Sequence, residues 1–231
     1  MKRFWTIAET VESDGGYAIA LDGRRVKTPA RADLVVPTPA LADGIVNEWN
    51  AAGDMVDPRA MPLTGMANAA IDRIAPDKES YAAGIAAYGE NDLTCYRAEG
   101  PEMLVQRQAE SWDALLSWAR RRYDVDFACQ TGIMHVPQPE ETVAKLAHAV
   151  AALDAFELAG LSPMVTIGGS LIAALAVSEG MLPAESAWEA VCLDERWQLE
   201  QWGDDAEARA ALDARRRDFL AGARFLELLR M

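Results

Sequence analysis

Five carboxylates and two tryptophans fall within LDERWQLEQWGDD, residues 193–205. Carboxylates at that density fit an acid/base site, a solvated acidic face, or a surface that grips another protein. On a helical wheel Trp188, Val191, Cys192, Glu195, Leu199 and Trp202 recur at steps of three and four and so share one face. Glu195 is therefore expected inside an apolar stripe. There a carboxylate must find a partner, rise in pKa, or face a groove that another molecule completes. An internal Arg or Trp N–H is the bland solution. Ala190, Leu193 and Trp197 lie on the opposite side, so the helix is greasy on two faces. Tryptophan anchors ringed by polar groups are typical of binding hot spots.

Other chemistry finds little material. The two histidines, His135 in a connecting segment and His148 in mid-helix, have no paired metal-ligand spacing. His135 is at best a minor catalytic candidate. Gly168-Gly169-Ser170-Leu171-Ile172 fails the G-x-S-x-G pattern at its last glycine and follows no strand, so Ser170 is expected within a packed helix. No phosphate-cradling glycine loop is present, and abundant carboxylates do not by themselves form the facing pair that glycoside hydrolysis needs. Arg24, Arg25, Lys27 and Arg31 form a basic cluster that could meet an acidic partner, but charge on edge strands more commonly blocks sheet-to-sheet association. Thr64 is a candidate helix cap, with Asn68 and Asp72 one turn apart on that helix.

The elements that must position these groups change character near residue 38. Trp5, Ile7 and Val11 share a parity, Tyr17, Ile19 and Leu21 alternate again, and Asp22-Gly23 signals a type I′ hairpin. Arg24–Thr28 and Leu34–Val36 continue the sheet, giving about four short strands. Thr38 with Pro39 then starts a helix lined by Leu41, Ile45 and Trp49. Ile74, Tyr81, Ile85 and Tyr88 mark another. Val105, Ala109, Trp112, Leu116, Ala119 and Tyr123 mark a third, started by Pro101. Residues 125–136 read as a strand or an extended connection. Helices follow around Val143–Leu153, over the uncharged 159–178 stretch, over Pro183–Trp202, and from an Asp205 cap through Leu212, Phe219, Ala223 and Leu226, with Arg215, Arg216 and Arg217 largely outside. The pattern predicts an α+β fold: a small N-terminal antiparallel β-rich region, residues 1–38, followed by a larger, mostly α-helical bundle, residues 39–231.

Composition narrows the partners. A net charge of -14 and a pI near 4.6 disfavour nucleic acid and anionic membranes, which such a surface repels. Cys95, Cys129 and Cys192 are odd in number and widely spaced, so neither a disulfide framework nor a zinc site is expected, and a reducing compartment fits. The 159–178 stretch has bilayer length, but eight of its twenty residues are Gly, Ser, Thr or Pro, which favours a buried central helix started by Pro163. No secretion or organelle-targeting segment is visible after Met1, so the chain reads as cytoplasmic.

Four long motifs then occur in one order: LDGRRVKTP at 21–29, EWNAAGDMVDPRAMPLTGMANAAIDRI at 48–74, CYRAEGPEMLVQRQAESWDALLSWA at 95–119 and LDERWQLEQWGDDAE at 193–207. Together they resemble the ATP synthase F(1) sector assembly chaperone family. That resemblance implies a non-enzymatic task without nucleotide, cofactor or metal: holding the free alpha subunit of the F(1) ATPase until the beta subunit replaces the chaperone. An unassembled subunit exposes apolar interface that aggregates unless covered. The family's acidic position in the C-terminal helical motif corresponds to Glu195, with Asp194 as the neighbouring alternative. Trp197, Trp202 and Trp49 are further partner-contact candidates. Mitochondrial members carry an import sequence, which makes this chain resemble a bacterial relative. Two rival readings are a small-molecule hydrolase using carboxylates with His135, and a general acidic adaptor.

Overall fold

The computed structural model describes residues 2–132, 134–203 and 205–231, so Ile133 of the 125–136 segment and Asp204 of the acidic stretch lie outside the described residues. The chain forms two compact units: Met1–Lys78 with Asp154–Gly160 and Arg224–Met231, and Glu79–Leu153 with Leu161–Ala223.

The first unit holds the antiparallel sheet. Strands β1 (Ala8–Ser13) and β2 (Gly16–Leu21) pair from Ala8↔Leu21 to Ser13↔Gly16. The short strands β3 (Arg24–Arg25) and β4 (Val35–Val36) both pair with β2. Asp22 and Gly23 each have positive φ, 47° and 78°, as the two-residue hairpin demands. At Gly16 a Cβ would stand 2.2 Å from the Val36 carbonyl oxygen, so only glycine lets β4 approach. The expected parity breaks at Ile7. The strand begins at Ala8, which is buried, and leaves Ile7 55% exposed. Arg24 and Arg25 sit exposed on the two-residue β3, which fits the protective role of charge at a short edge.

Helix α1 (Pro39–Ala51) starts where the sequence places it, with Thr38 Oγ1 accepting from Leu41 N at 3.3 Å. Leu41, Ile45 and Trp49 face inward, and Asn50 fixes α1 to β1 by bonding both backbone groups of Ala8, at 2.8 and 3.0 Å. Helix α2 (Pro62–Ala69) is capped by Glu48 of α1 rather than by Thr64. The Glu48 carboxylate accepts from Leu63 N and Thr64 N, two donors that a helix start leaves free, and from the Thr64 hydroxyl, all at 2.7–2.8 Å. Asp72, in the π-helical turn that follows, accepts from Thr28 Oγ1 and Ala30 N. Asp72 thus anchors the loop after β3.

The second unit is helical. Helix α3 (Lys78–Ala86) leads to β5 (Tyr96–Arg97), which pairs in parallel with β6 (Gln130–Thr131). Between them runs α4 (Glu102–Tyr123), which buries Trp112, Leu115, Leu116 and Ala119 and ends at Asp124 in the left-handed region. Trp112 is 0% exposed, and its Nε1 donates to the Ala190 carbonyl at 2.8 Å. Helices α5 (Glu140–Ala151), α6 (Ala155–Gly168), α7 (Leu171–Ser178), α8 (Ala184–Val191), α9 (Leu193–Trp202) and α10 (Ala206–Leu228) complete the chain, the first turns of α6 and the last of α10 being counted to the first unit.

The uncharged stretch is two helices, not one. Pro163 lies inside α6 rather than at its start, Gly169 takes φ of 66°, and Ser170 caps α7 through Ala173 N at 3.0 Å. Beneath that cap sits the fully buried Asp92. It accepts from Ile172 N, Ser170 Oγ, Thr94 N and Thr94 Oγ1 at 2.7–3.0 Å, and burial raises its carboxyl above the ordinary range. Ser170 is thus a capping residue with its hydroxyl committed, not a nucleophile. Among the described residues no helix is long and apolar enough to cross a membrane.

Candidate functional site

The segment 183–202 bends at Cys192, whose φ of -102° and ψ of 17° separate α8 from α9. Backbone bonding persists on both sides, from Cys192 N to Trp188 O and from Arg196 N to Cys192 O, both 3.0 Å. The bend divides the apolar stripe expected of one straight helix. Trp188 turns inward, its ring centroid 5.6 Å from that of Phe219, whereas Glu195 reaches the surface.

The partner of Glu195 is Arg215 of α10, Nη2 to Oε1 at 2.8 Å, with side chains 43% and 42% exposed respectively. The Arg215 guanidinium carbon also lies 5.8 Å from the centroid of the Trp188 ring. Next to it, Arg216 forks onto both oxygens of Glu185 in α8, the closest contact being 2.6 Å. Arg215 and Arg216, expected largely outside, therefore clamp α10 to both halves of the bent segment. Asp205 caps α10 as expected, accepting from Glu207 N at 2.9 Å.

Two grooves share the Glu195–Arg215 pair as a wall. One, of about 450 Å³, runs between α9 and α10, with Leu199 and Trp202 on one side and Ala208, Ala211 and Leu212 on the other. Trp202 at its edge is 81% exposed. The second, of about 550 Å³, is lined by Leu93, Thr166 to Gly169 and Val191. The remaining candidates on α9 point elsewhere. Asp194 accepts from Nε2 of the buried Gln108 at 2.8 Å, and Trp197, 8% exposed, packs under the Arg107 guanidinium at 4.8 Å. Both tie α9 to α4. Trp49 lies in the other compact unit, 9% exposed and edge-on to Trp5 at 4.9 Å. The four candidates from 194 to 202 are thus neighbours on one helix with different roles, and Trp49 is not among them.

Arg215 is the residue that sequence reasoning overlooked as part of the site. Its only signal was the need of Glu195 for a cation, and nothing in the sequence chose among the available arginines.

A profile described as "ATP12 chaperone protein" matches residues 2–120, just over half of the chain. The chain belongs to the ATP12 chaperone family. Members of that family assist F(1) ATPase assembly by binding the alpha subunit, and they are chaperones rather than enzymes. The crystal structure of Atp12 from Paracoccus denitrificans superposes with a TM-score of 0.93 at 41% identity, covering 99% of this chain and 98% of that one. An aspartate-to-lysine mutant of the P. denitrificans protein matches equally well. A structure from Agrobacterium tumefaciens described as a putative chaperone gives 0.94 at 40% identity, over 99% of this chain and 86% of that one. The curated protein atp12, mitochondrial, of Schizosaccharomyces pombe is 25% identical over 219 residues, 90% of this chain and 75% of that protein. The profile match ends within α4, whereas the bacterial ATP12 structures extend the likeness through α9 and α10.

Membership of the ATP12 family overturns the hydrolase reading. The His135 ring bonds the Tyr96 hydroxyl, Nδ1 to oxygen 3.2 Å, in an exposed setting.

Proposed function

We propose that this ATP12 chain holds the free alpha subunit of the F(1) ATPase through the α9–α10 groove, with Trp202 as apolar anchor and Glu195 as the charged contact. The observation that carries this is a tryptophan left 81% exposed at the edge of a groove floored by Ala208, Ala211 and Leu212. A large aromatic beside small apolar residues suits the interface surface that an unassembled subunit exposes.

The pairing of Glu195 suits a temporary partner. An ion pair exposed by some two-fifths at each end contributes about 0–1 kcal/mol, so Glu195 exchanges Arg215 for a cation of the client at little cost. Asp194 and Trp197 hold α9 in place from the α4 side, and Trp49 supports the sheet-bearing unit. The acidic surface as a whole, at a net charge of -14, lends an on-rate advantage toward basic clients, which is all that a general adaptor would need, but it selects none. The bacterial sources of the relatives at 40–41% identity support a bacterial cytoplasm as the place of work.

The test mixes the purified chain with separately produced alpha and beta subunits and follows complexes by size-exclusion chromatography. Co-elution with alpha and not with beta is expected. Equal capture of both subunits would instead favour the adaptor, and failure to bind alpha would remove the proposal.

A further inference from the structure

The small parallel sheet brings two cysteines together. Tyr96 pairs with Gln130 and Arg97 with Thr131, and Cys95 and Cys129 each immediately precede the first paired residue of their strand. Cys95 closes the 3-10 turn Leu93–Cys95 and Cys129 leads into β6, so the Tyr96↔Gln130 pairing brings the two residues close at the start of the ladder. The pairing continues one residue beyond β6, where Gly132 N donates to Arg97 O at 2.8 Å. Neighbouring strands run about 4.8 Å apart, and disulfides span Cα separations of about 4.4–6.8 Å. Cys129 is near enough to act on the Cys95 thiol, helping to push it up.

Their settings are unequal in a useful way. Cys95 is 1% exposed, and burial, the Asp92 carboxyl and Cys129 itself all keep it a thiol. Cys129 is exposed, so an oxidant reaches it first. Cys192 is fully buried at the α8–α9 bend, its thiol pushed up to about 11 by burial, and serves as an internal reference.

We propose that Cys95 and Cys129 are a redox-sensitive dithiol, converted to a disulfide by peroxide with Cys129 as the sulfur attacked first. The Cys129 sulfur takes one oxygen of the peroxide as the O–O bond breaks. This gives a sulfenic acid, and the departing hydroxide leaves as water with the Cys129 proton. The Cys95 sulfur then bonds to the Cys129 sulfur as the S–O bond breaks, and the second hydroxide leaves as water with the Cys95 proton. Two thiols are oxidised to one disulfide and one peroxide is reduced to two waters. Such pairs in reducing compartments are characteristically transient and sensing rather than structural. The ring so closed contains α4, whose Gln108 holds Asp194 and whose Trp112 holds the Ala190 carbonyl. Oxidation therefore stiffens the support beneath α8 and α9.

The experiment uses the full chain, reduced, freed of reductant and exposed to hydrogen peroxide. Free thiols are then blocked and the protein digested without reducing agent for mass spectrometry. The expected product joins the Cys95 and Cys129 peptides, lighter by two hydrogen atoms, with Cys192 still a free thiol. The melting temperature rises by roughly 5–10 °C, because cross-linking restricts the unfolded chain, and dithiothreitol reverses the rise. Cys129→Ser, at an exposed position, abolishes both the linked pair and the shift, and leaves Cys95 unmodified at the same dose. Cys95→Ser, where it folds, leaves a sulfenic acid on Cys129 that dimedone traps. Accumulation of Cys129 sulfinic acid beside free Cys95, a link to Cys192, or a pair formed only after denaturation would each overturn the proposal.

Discussion

Arg215 Nη2 stands 2.8 Å from Glu195 Oε1, and this pair closes one end of the groove between α9 and α10 while walling the groove on the other side of Glu195. The carboxylate is thus neither buried in a stripe nor free. It is held at the surface by a cation on the next helix, in a geometry from which it can be released.

Replacing each partner separately tells a binding role from a structural one. Glu195→Gln and Arg215→Gln are each expected to lower stability by no more than about 1 kcal/mol, as for other half-exposed pairs. If Glu195 meets the client, Glu195→Gln weakens alpha-subunit binding about 10-fold, whereas Arg215→Gln, which frees the carboxylate, leaves it unchanged or tighter. Equal losses in calorimetric titrations of the two variants would mean that the pair serves only to join α9 to α10.

Trp202 and Trp197 differ by five positions and by burial, 81% against 8% exposed. Trp202→Ala is expected to change folding stability by less than about 0.5 kcal/mol while costing about 2 kcal/mol of alpha-subunit affinity. Trp197→Ala, which removes the ring beneath Arg107, is expected to destabilise the fold by about 3 kcal/mol or more. Urea denaturation and binding measured on the same samples check both, and a Trp202 variant with unchanged affinity would move the contact surface elsewhere.

What the sequence made legible follows from range. The Asp22-Gly23 turn and the Thr38-Pro39 helix start were readable because a few adjacent residues determine them. So was the α4 core face, where a 3.6-residue period runs through Trp112, Leu116 and Ala119. The break at Ser170 was missed because Asp92, the acceptor for Ser170 Oγ and Ile172 N, lies 78 to 80 positions away. The bend at Cys192 carries neither proline nor glycine, so the wheel ran straight through it and joined Trp188 to Glu195. Arg215 stayed hidden for the same reason, since a choice among neighbouring arginines is made by helix packing. The acidic and aromatic content of α9 was legible, but not which of its side chains faces solvent.

Asp92 is expected to be the most sensitive polar position in the helical unit. Asp92→Ala strands Ile172 N, Ser170 Oγ, Thr94 N and Thr94 Oγ1 in a fully buried setting and is expected to cost about 3 kcal/mol or more. Ser170→Ala, which loses only the cap on Ala173 N and one bond to Asp92, is expected to cost about 1 kcal/mol. Chemical denaturation should rank them in that order. A Ser170→Ala loss as large as that of Asp92→Ala would place the strength of the cluster in the hydroxyl instead.

Glu48 offers a test by pH. Burial raises its carboxyl above the ordinary 4.5, against the lowering influence of bonds from Thr64 and Leu63. The folded chain therefore takes up this proton more readily than the unfolded chain does. The stabilisation linked to it is fully present below 4.5 and is lost as pH rises through the higher folded value. Asp22, Asp33, Asp57 and Asp124, exposed and lowered by their hydrogen bonds, act in the opposite sense. They are common to wild type and Glu48→Gln, so they cancel in the difference between the two. At neutral pH Glu48→Gln is expected to be less stable, because an amide nitrogen replaces one acceptor at the start of α2. Thermal melts from about pH 7 down to about pH 4 should show the wild-type advantage widening as the pH falls. A narrowing gap would mean that the bonds from Leu63 and Thr64 outweigh burial at Glu48, leaving its folded pKa below that of the unfolded chain.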